Sequence, residues 1–317
     1  MDKISAIRLF VRLVECGSFS AVGRIEGIGQ PAVSKQIASL ERHLGAQLVM
    51  RTSRQIVITD AGQMFYESAR KLVDDYDALE SSVGTRQRSP QGLIRVSTAP
   101  AHGRICITPL LGEFFRMYPA IMIEMLVSER HSDLLGDSVD VAIRHGRLAD
   151  SSLSARKLCE TNFVLVASPN YLALRGEPRE VSDLELHACI VFTEGRDPYP
   201  WRFKAGVESI SYVPRGQLLT GDAEHIRVAV LGGLGIAQAP FWLVADEIRT
   251  GQLQVLLPLS QPAPVPIHLV YRAARHVPRK LRLFMDYLVS AFALPDTFHV
   301  IDPVGTGFAR TIFSSRN

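Results

Sequence analysis

"GIGQPAVSKQIASLERHLG", Gly27 to Gly45, is the stretch whose reading decides the fold. Val33, Ile37, Leu40 and Leu44 recur at helical spacing, which predicts one buried face. The other face opens on Gln30, Pro31, Ser34 and Lys35, short-chained and barely charged. An ordinary solvated helix face carries Glu and Lys, which favour helix and form i,i+4 pairs. Gly29 can serve as the N-cap, and Pro31 suits the first turn, where its missing N–H leaves no intrahelical bond unmade.

Upstream, Ile4, Ile7, Phe10 or Val11, and Val14 form an apolar helical stripe that ends at the Cys16-Gly17 step. Ser18 can cap a second helix running to about Ile25, and a turn from Glu26 to Gly29 follows. Helix, glycine-containing turn and helix make helix-turn-helix geometry. A recognition helix enters the major groove N-terminus first, so its leading outward residues must be small and able to donate to or accept from base edges. Gln30, Pro31, Ala32, Ser34 and Lys35 are therefore candidate DNA-contacting residues, although such corners also occur as plain helical structure. "LVMRTSRQIVITDAG", Leu48 to Gly62, alternates apolar and polar residues and predicts a two-stranded wing. Its basic tip, Arg51, Thr52, Ser53 and Arg54, suits phosphates.

Thr59 then caps a long helix in which Phe65, Ala69, Leu72, Tyr76, Leu79 and Val83 alternate steps of four and three. That is the 3.5-residue seam of a coiled-coil contact. Phe65, Leu72, Tyr76 and Leu79 are candidate dimerisation residues; the alternative is that the helix lies on its own domain.

With 317 residues, 47% of them hydrophobic, the chain can bury a sizeable core and divide into two or three domains. The start, MDKISAIRLF, lacks a leader's apolar run and cleavage site, and no window approaches about eighteen uninterrupted apolar residues. A cytoplasmic protein without a membrane span is expected. Cys16, Cys106, Cys159 and Cys189 have neither zinc-ligand nor disulfide-framework spacing and read as small core residues. The net charge of +3 announces no nucleic-acid partner by itself. Up to Ile58, though, Lys3, Arg8, Arg12, Arg24, Lys35, Arg42, Arg51 and Arg54 face only Asp2, Glu15, Glu26 and Glu41.

Taken together, "GSFSAVGRIEGIGQPAVSKQIASLERHLGAQLVMRTSRQIVITDAG", Gly17 to Gly62, resembles the LysR-type bacterial transcription regulators. The likeness continues more weakly through almost the whole chain. Departures are Gly29 where the family usually has Ser, Val22 and Gly23 where it has alanines, and Val49-Met50 where it has Phe-Glu. The Gln30, Ser34, Lys35 and Arg51 positions are kept. The resemblance implies an α/β protein overall, with an N-terminal winged helix-turn-helix and a long linker helix. Its C-terminal effector domain would be a two-lobed α/β unit like the type 2 periplasmic binding proteins, with Asn162 to Ala167 and Ile267 to Tyr271 crossing between the lobes. Implied partners are double-stranded promoter or operator DNA, a small-molecule effector and further copies of the chain in a homodimer or homotetramer, with RNA polymerase as a further candidate.

"GTRQRSPQG", Gly84 to Gly92, combines turn residues with no apolar side chain and predicts a linker. Beyond it, Leu93 to Ser97, Ile121 to Leu126, Val139 to Ile143, Asn162 to Ala167, Cys189 to Phe192, Ile236 to Ala239 and Ile267 to Tyr271 read as strands. Ile105 to Tyr118, Asp222 to Leu231 and Arg279 to Phe292 read as helices. The alternation predicts an α/β unit with parallel strands. The expected divisions are 1–58 for the winged helix-turn-helix, 59–88 for the linker helix, 92–294 for the effector domain and 295–317 for a C-terminal extension.

No enzyme chemistry is legible. "LGGLGIAQAP" lacks the spacing and the lysine of a phosphate loop, and the scattered histidines lack ligand spacing, so neither metal nor cofactor is expected. "AHGR" at Ala101 to Arg104 and "RHGR" at Arg144 to Arg147 each follow a predicted strand, where ligands of open α/β sheets bind. His102, Arg144 and His145 are thus candidate effector contacts. The family's cleft loops add Thr98, Ala99, Thr193 and Asp222. An anionic, carboxylate-bearing effector suits the arginine, while Asp222 and Glu194 would repel one. A transport-type solute-binding protein with an accessory N-terminal domain is the competing function, and an enzyme with a fused regulatory domain a third.

Overall fold

The computed structural model describes residues 3–51, 56–83, 90–128, 139–146, 148, 153–205, 208–262, 264–272 and 277–293. Two compact units emerge, one of Met1–Ile94, Met117–Glu124 and Ala274–Leu283, the other of Arg95–Arg116, Met125–Ala273 and Phe284–Asn317. The segments 84–89 and 294–317, and with them most of the expected linker and the whole of the expected tail, lie outside the described residues, while Gly92, the linker's expected last residue, already opens a strand.

In the first unit, α1 (Lys3–Cys16) is followed by α2 (Phe19–Glu26), whose N-cap Ser18 accepts the Ala21 N–H at 3.3 Å. Helix α3 (Gln30–Leu44) starts from Gly29 with proline in its first turn and stops at left-handed Gly45. Phe10, Leu13, Val22, Val33, Ile37 and Tyr66 build the core these helices share. Leu44, expected on the buried stripe, is 40% exposed, because the chain leaves the helix one residue later. At Gly23 a Cβ would stand 2.7 Å from the Ile28 carbonyl oxygen. Glycine there lets the turn close tightly, with the Ile28 N–H bonded to the Gly23 carbonyl at 2.9 Å.

Strands β1 (Val49–Arg51) and β2 (Ile56–Ile58) pair antiparallel, Val49 opposite Ile58 and Arg51 opposite Ile56. Thr52, Ser53 and Arg54 at the tip lie outside the described residues. Thr59 joins the wing to α4 (Asp60–Val83): its hydroxyl donates to the Gln47 carbonyl at 2.7 Å and accepts the Gly62 N–H at 2.9 Å. Helix α4 lays Tyr66, Ala69 and Val73 into the core, and Phe65 packs on Phe10 with ring centroids 5.4 Å apart.

The seam read from sequence is thereby divided. Phe65 and Ala69 serve their own domain, and Tyr76 is half-buried, with the Arg8 guanidinium 5.9 Å above its ring. Leu72 and Leu79 are 47% and 57% exposed. Two arginines counted toward a basic surface are also internal: Arg8 is buried, and buried Arg12 pairs with Glu26 at 2.8 Å.

The chain continues through β3 (Gly92–Thr98), α5 (Pro100–His102), a π-helical turn at Gly103–Ile107, α6 (Thr108–Met117), β4 (Ile121–Val127), β5 (Val141–His145) and β6 (Leu153–Thr161). Then come β7 (Phe163–Ala167), α7 (Pro169–Arg175), β8 (Ile190–Glu194), β9 (Asp197–Pro198), β10 (Trp201–Ala205), β11 (Glu208–Tyr212) and β12 (Leu218–Thr220). Helix α8 (Ala223–Leu231), β13 (Ala237–Pro240), α9 (Phe241–Arg249), β14 (Gln254–Leu256), β15 (Val265–Arg272) and α10 (Arg279–Phe292) complete it.

One sheet has the order β4-β3-β5-β15-β6, with β3 parallel to β5 and β15 antiparallel to both of its neighbours. The predicted all-parallel sheet is thus mixed, because β15 enters from the other lobe and runs the opposite way. Strand β6 escaped the sequence reading: Arg156 and Lys157 interrupt its apolar alternation. The second lobe holds the antiparallel sheet β13-β7-β14 and the sheet β12-β8-β9. Its core comprises Leu165, Tyr171, Leu184, Trp201 and Phe203 among others.

The chain crosses between lobes first at Asn162, between β6 and β7. The return crossing lies at 257–264. Ile267 to Tyr271, expected to cross, sit inside β15 of the first sheet, a register fixed by their pairing with β5. Leu257 begins the return with φ 45°, the only positive φ outside glycine among the described residues. Gln261 straps it, its Nε2 donating to the Leu256 and Leu257 carbonyls at 2.8 and 3.1 Å while its Oε1 accepts the Leu165 N–H.

Cys106 and Cys189 are buried, and Cys16 and Cys159 are intermediate; all four are free thiols. A Cβ added at Gly62 would stand 2.1 Å from the Leu48 carbonyl oxygen, a backbone atom that can yield only by moving the wing. Gly62→Ala is expected to cost about 1–3 kcal/mol, read as a lower urea midpoint for the N-terminal unit with little change in helical content.

Candidate functional site

Gln30, Pro31, Ala32 and Lys35 are exposed at the start of α3, and Ser34 is intermediate. The burial of Val33, Ile37 and Leu40 fixes which way this face turns. No acidic residue occupies the first turn, so the partial positive charge of the helix N-terminus is left uncompensated there. Gln30 is held from the neighbouring helix: the exposed Ser20 hydroxyl donates to its Oε1 at 3.1 Å. Arg51 is fixed through its backbone pairing with Ile56. An uncharged, short-chained helix tip can approach a polyanionic groove closely.

The effector candidates fall into two groups. Thr98, Ala99 and His102 stand at the carboxyl end of β3, and Arg144 and His145 at that of β5. Thr98 and His102 are fully buried, Arg144 is buried, and Ala99 and His145 are intermediate. His102 packs edge-on against His145 at 4.7 Å and Trp242 at 5.2 Å between ring centroids, with the Thr98 hydroxyl 3.4 Å from its Nδ1. Burial pushes the His102 imidazole well below its ordinary pKa and that of His145 down to about 4. His102 is therefore neutral and out of a solute's reach, contrary to its expected role beside a carboxylate. Pro100 in the first helical turn rolls this segment into α5 and turns His102 inward. Nε2 of both histidines and Nε1 of Trp242 have no hydrogen-bond partner among the described residues.

Asp222 and Thr193 belong to the second lobe. Asp222 is the N-cap of α8, accepting the Glu224 and His225 N–H groups at 2.7 and 3.2 Å. Its Oδ1 occupies the helix-terminal donors an anion would need at this end of α8. Thr193 is intermediate, on β8 beside Gly221.

An ion chain escaped the sequence reading. Arg104 reaches from the first lobe to Glu224 of the second at 2.7 Å; Glu224 also meets Arg227 at 2.7 Å, and Arg227 pairs with buried Glu247. Arg104 stands in the quoted "AHGR", and Glu224 and Arg227 share the i,i+3 spacing of a helical ion pair, so the signal was present. Among the described residues no group of three or more His, Cys, Asp or Glu is placed to hold a metal ion, and no helix is long and apolar enough to cross a membrane.

Comparison with known proteins meets both halves of this arrangement. Residues 4–63 match the family of bacterial regulatory helix-turn-helix proteins, lysR family, and residues 87–293 match the LysR substrate binding domain. An HTH-type transcriptional repressor of Pseudomonas aeruginosa is 33% identical over 296 residues, covering 92% of this chain and 93% of that protein. The HTH-type transcriptional regulator PtxR of the same species is 34% identical over 281 residues, 88% of this chain and 89% of its own. The structure of CrgA, a LysR-type transcriptional regulator from Neisseria meningitidis, superposes with a TM-score of 0.61 at 31% identity, over 92% of this chain and 99% of that one.

The buried histidines make stability depend on pH. Their folded pKa values lie below the unfolded value of 6.5, so between about pH 6.5 and 4 the unfolded chain binds more protons than the folded one. The stabilisation is complete above that window and is lost as pH falls through it. Urea unfolding of the effector unit is expected to weaken by about 1–3 kcal/mol between roughly pH 7.5 and 5.5. A His102→Gln/His145→Gln variant should show a flatter dependence.

Proposed function

The chain belongs to the LysR family of bacterial transcriptional regulators, with a helix-turn-helix DNA-binding domain and an effector-binding domain, and from that premise we propose that α3 reads operator base edges. Gln30, Ser34 and Lys35 make the base contacts in this reading, with Pro31 and Ala32 allowing close approach, while Arg51, Thr52, Ser53 and Arg54 hold phosphates. The observation that carries it is the exposed, acid-free start of α3. The relatives named above are transcriptional regulators, which favours this reading over the transport-type alternative.

The second copy in a dimer would rest on α4, where Leu72 and Leu79 are exposed one heptad apart. The effector in this reading is a small anion that enters between the lobes near Arg104 and Arg144. Burial lowers the pKa of Arg144, and a desolvated cation gains from an anion set beside it. Arg104 would exchange Glu224 for the ligand, loosening the link between lobes.

Gln30→Ala and Ser34→Ala should each relax discrimination at one operator position by about 1–3 kcal/mol, while Arg54→Ala weakens all DNA and lowers the log–log salt slope by about 0.9. Titrations on operator and scrambled duplexes at several salt concentrations check this; the opposite pattern inverts the assignment. Leu72→Asp should sediment as a folded monomer, and a folded dimer counts against the seam. In calorimetry, Arg144→Ala should lose about tenfold or more in affinity for an acidic effector; unchanged affinity removes Arg144 from the site.

A further inference from the structure

Ser20 and Gln30 lie on different helices, ten residues apart, and are joined by one side-chain hydrogen bond at the exposed start of α3. The backbone around them is firmly held. Ser18 caps α2, the Ile28 N–H bonds to the Gly23 carbonyl, and the absence of a Cβ at Gly23 permits that approach. The separation of the two side chains is therefore set by the helix-turn-helix itself.

The direction of the bond matters. A glutamine carboxamide has an acceptor end and a two-hydrogen donor end. Here the Ser20 hydroxyl donates to Oε1, which turns the acceptor end toward α2 and leaves the NH2 group to other partners. In the major groove guanine offers two acceptors, O6 and N7, and thymine one, O4, whereas cytosine offers only a donor. Adenine sets a donor beside its acceptor, and paired recognition of it by glutamine needs both ends of the carboxamide. An oriented NH2 group satisfies guanine, then thymine, and leaves adenine half met.

We infer that Ser20 is a positioning residue for specificity: by engaging the Gln30 carbonyl it commits Gln30 to acceptor-bearing base edges, guanine foremost, and disfavours adenine. This rests on the proposal that α3 reads bases, and adds to it a named base class and a second residue.

The test is selection of full-length protein on an operator with randomised half-site positions, followed by competition binding with single-base-substituted duplexes. Gln30→Ala locates the position that Gln30 reads. Wild type should prefer guanine, then thymine, there. Ser20→Ala should lower the guanine-over-adenine preference at that position about fivefold, the worth of one neutral hydrogen bond, and Ser20→Thr should restore it. Melting temperature and salt slope should match wild type in both Ser20 variants, separating orientation from folding and from phosphate contacts. Wild-type selection of adenine or cytosine at that position, or an unchanged preference in Ser20→Ala, overturns the inference while base reading by α3 stands. If Gln30→Ala relaxes no position, base reading by α3 fails first and the Ser20 inference falls with it.

Discussion

The N-terminal unit turns on the hydroxyl of Thr59. It donates to the carbonyl of Gln47, just after α3, and accepts the Gly62 N–H in the first turn of α4, while the Thr59 N–H bonds to Leu48 at the root of the wing. An N-cap of this kind contributes about 1 kcal/mol, but its geometric effect is larger. It fixes the end of α3, the start of the wing and the origin of the long helix relative to one another. Gly62 completes the joint by having no side chain to separate α4 from Leu48.

Between the lobes the chemistry is of a different kind. A neutral aromatic cluster of His102, His145 and Trp242 lies at the strand ends, and an ion chain from Arg104 to Glu247 runs beside it. The cluster places three ring nitrogens in a buried setting without partners among the described residues, a costly arrangement for polar groups. The ion chain is the more accessible of the two, since Arg104 is 59% exposed. Such pairs contribute little net stability when they are wet, so exchanging one for a ligand is inexpensive.

The helix-turn-helix was legible because its signals are local: Ser18, Gly29, Pro31 and Gly45 punctuate helices whose apolar spacing is regular. Thr59 was legible as a cap for the same reason. The long helix misled at Phe65, because a 3.5-residue stripe does not say which part of it a neighbouring domain takes; Phe10, fifty-five positions earlier, decides that. His102 misled because a strand-end loop was assumed to face the cleft, although Pro100 already marked a helix start. Asp222 carried a cap signal in "DAEH", and the cap forms. The ion partners of Arg104 come from segments more than a hundred residues away, a distance that periodicity does not reach.

The two crossings between lobes are unequal in length and in bonding, and the effector unit is therefore joined asymmetrically. Asn162 alone separates β6 from β7, strands of two different sheets. The return path is longer, starts from a left-handed leucine at a cost of about 1 kcal/mol, and is strapped by a single glutamine. Any change in the angle between the lobes has one residue to act through at Asn162 and several on the strapped side, where it meets the three hydrogen bonds of Gln261.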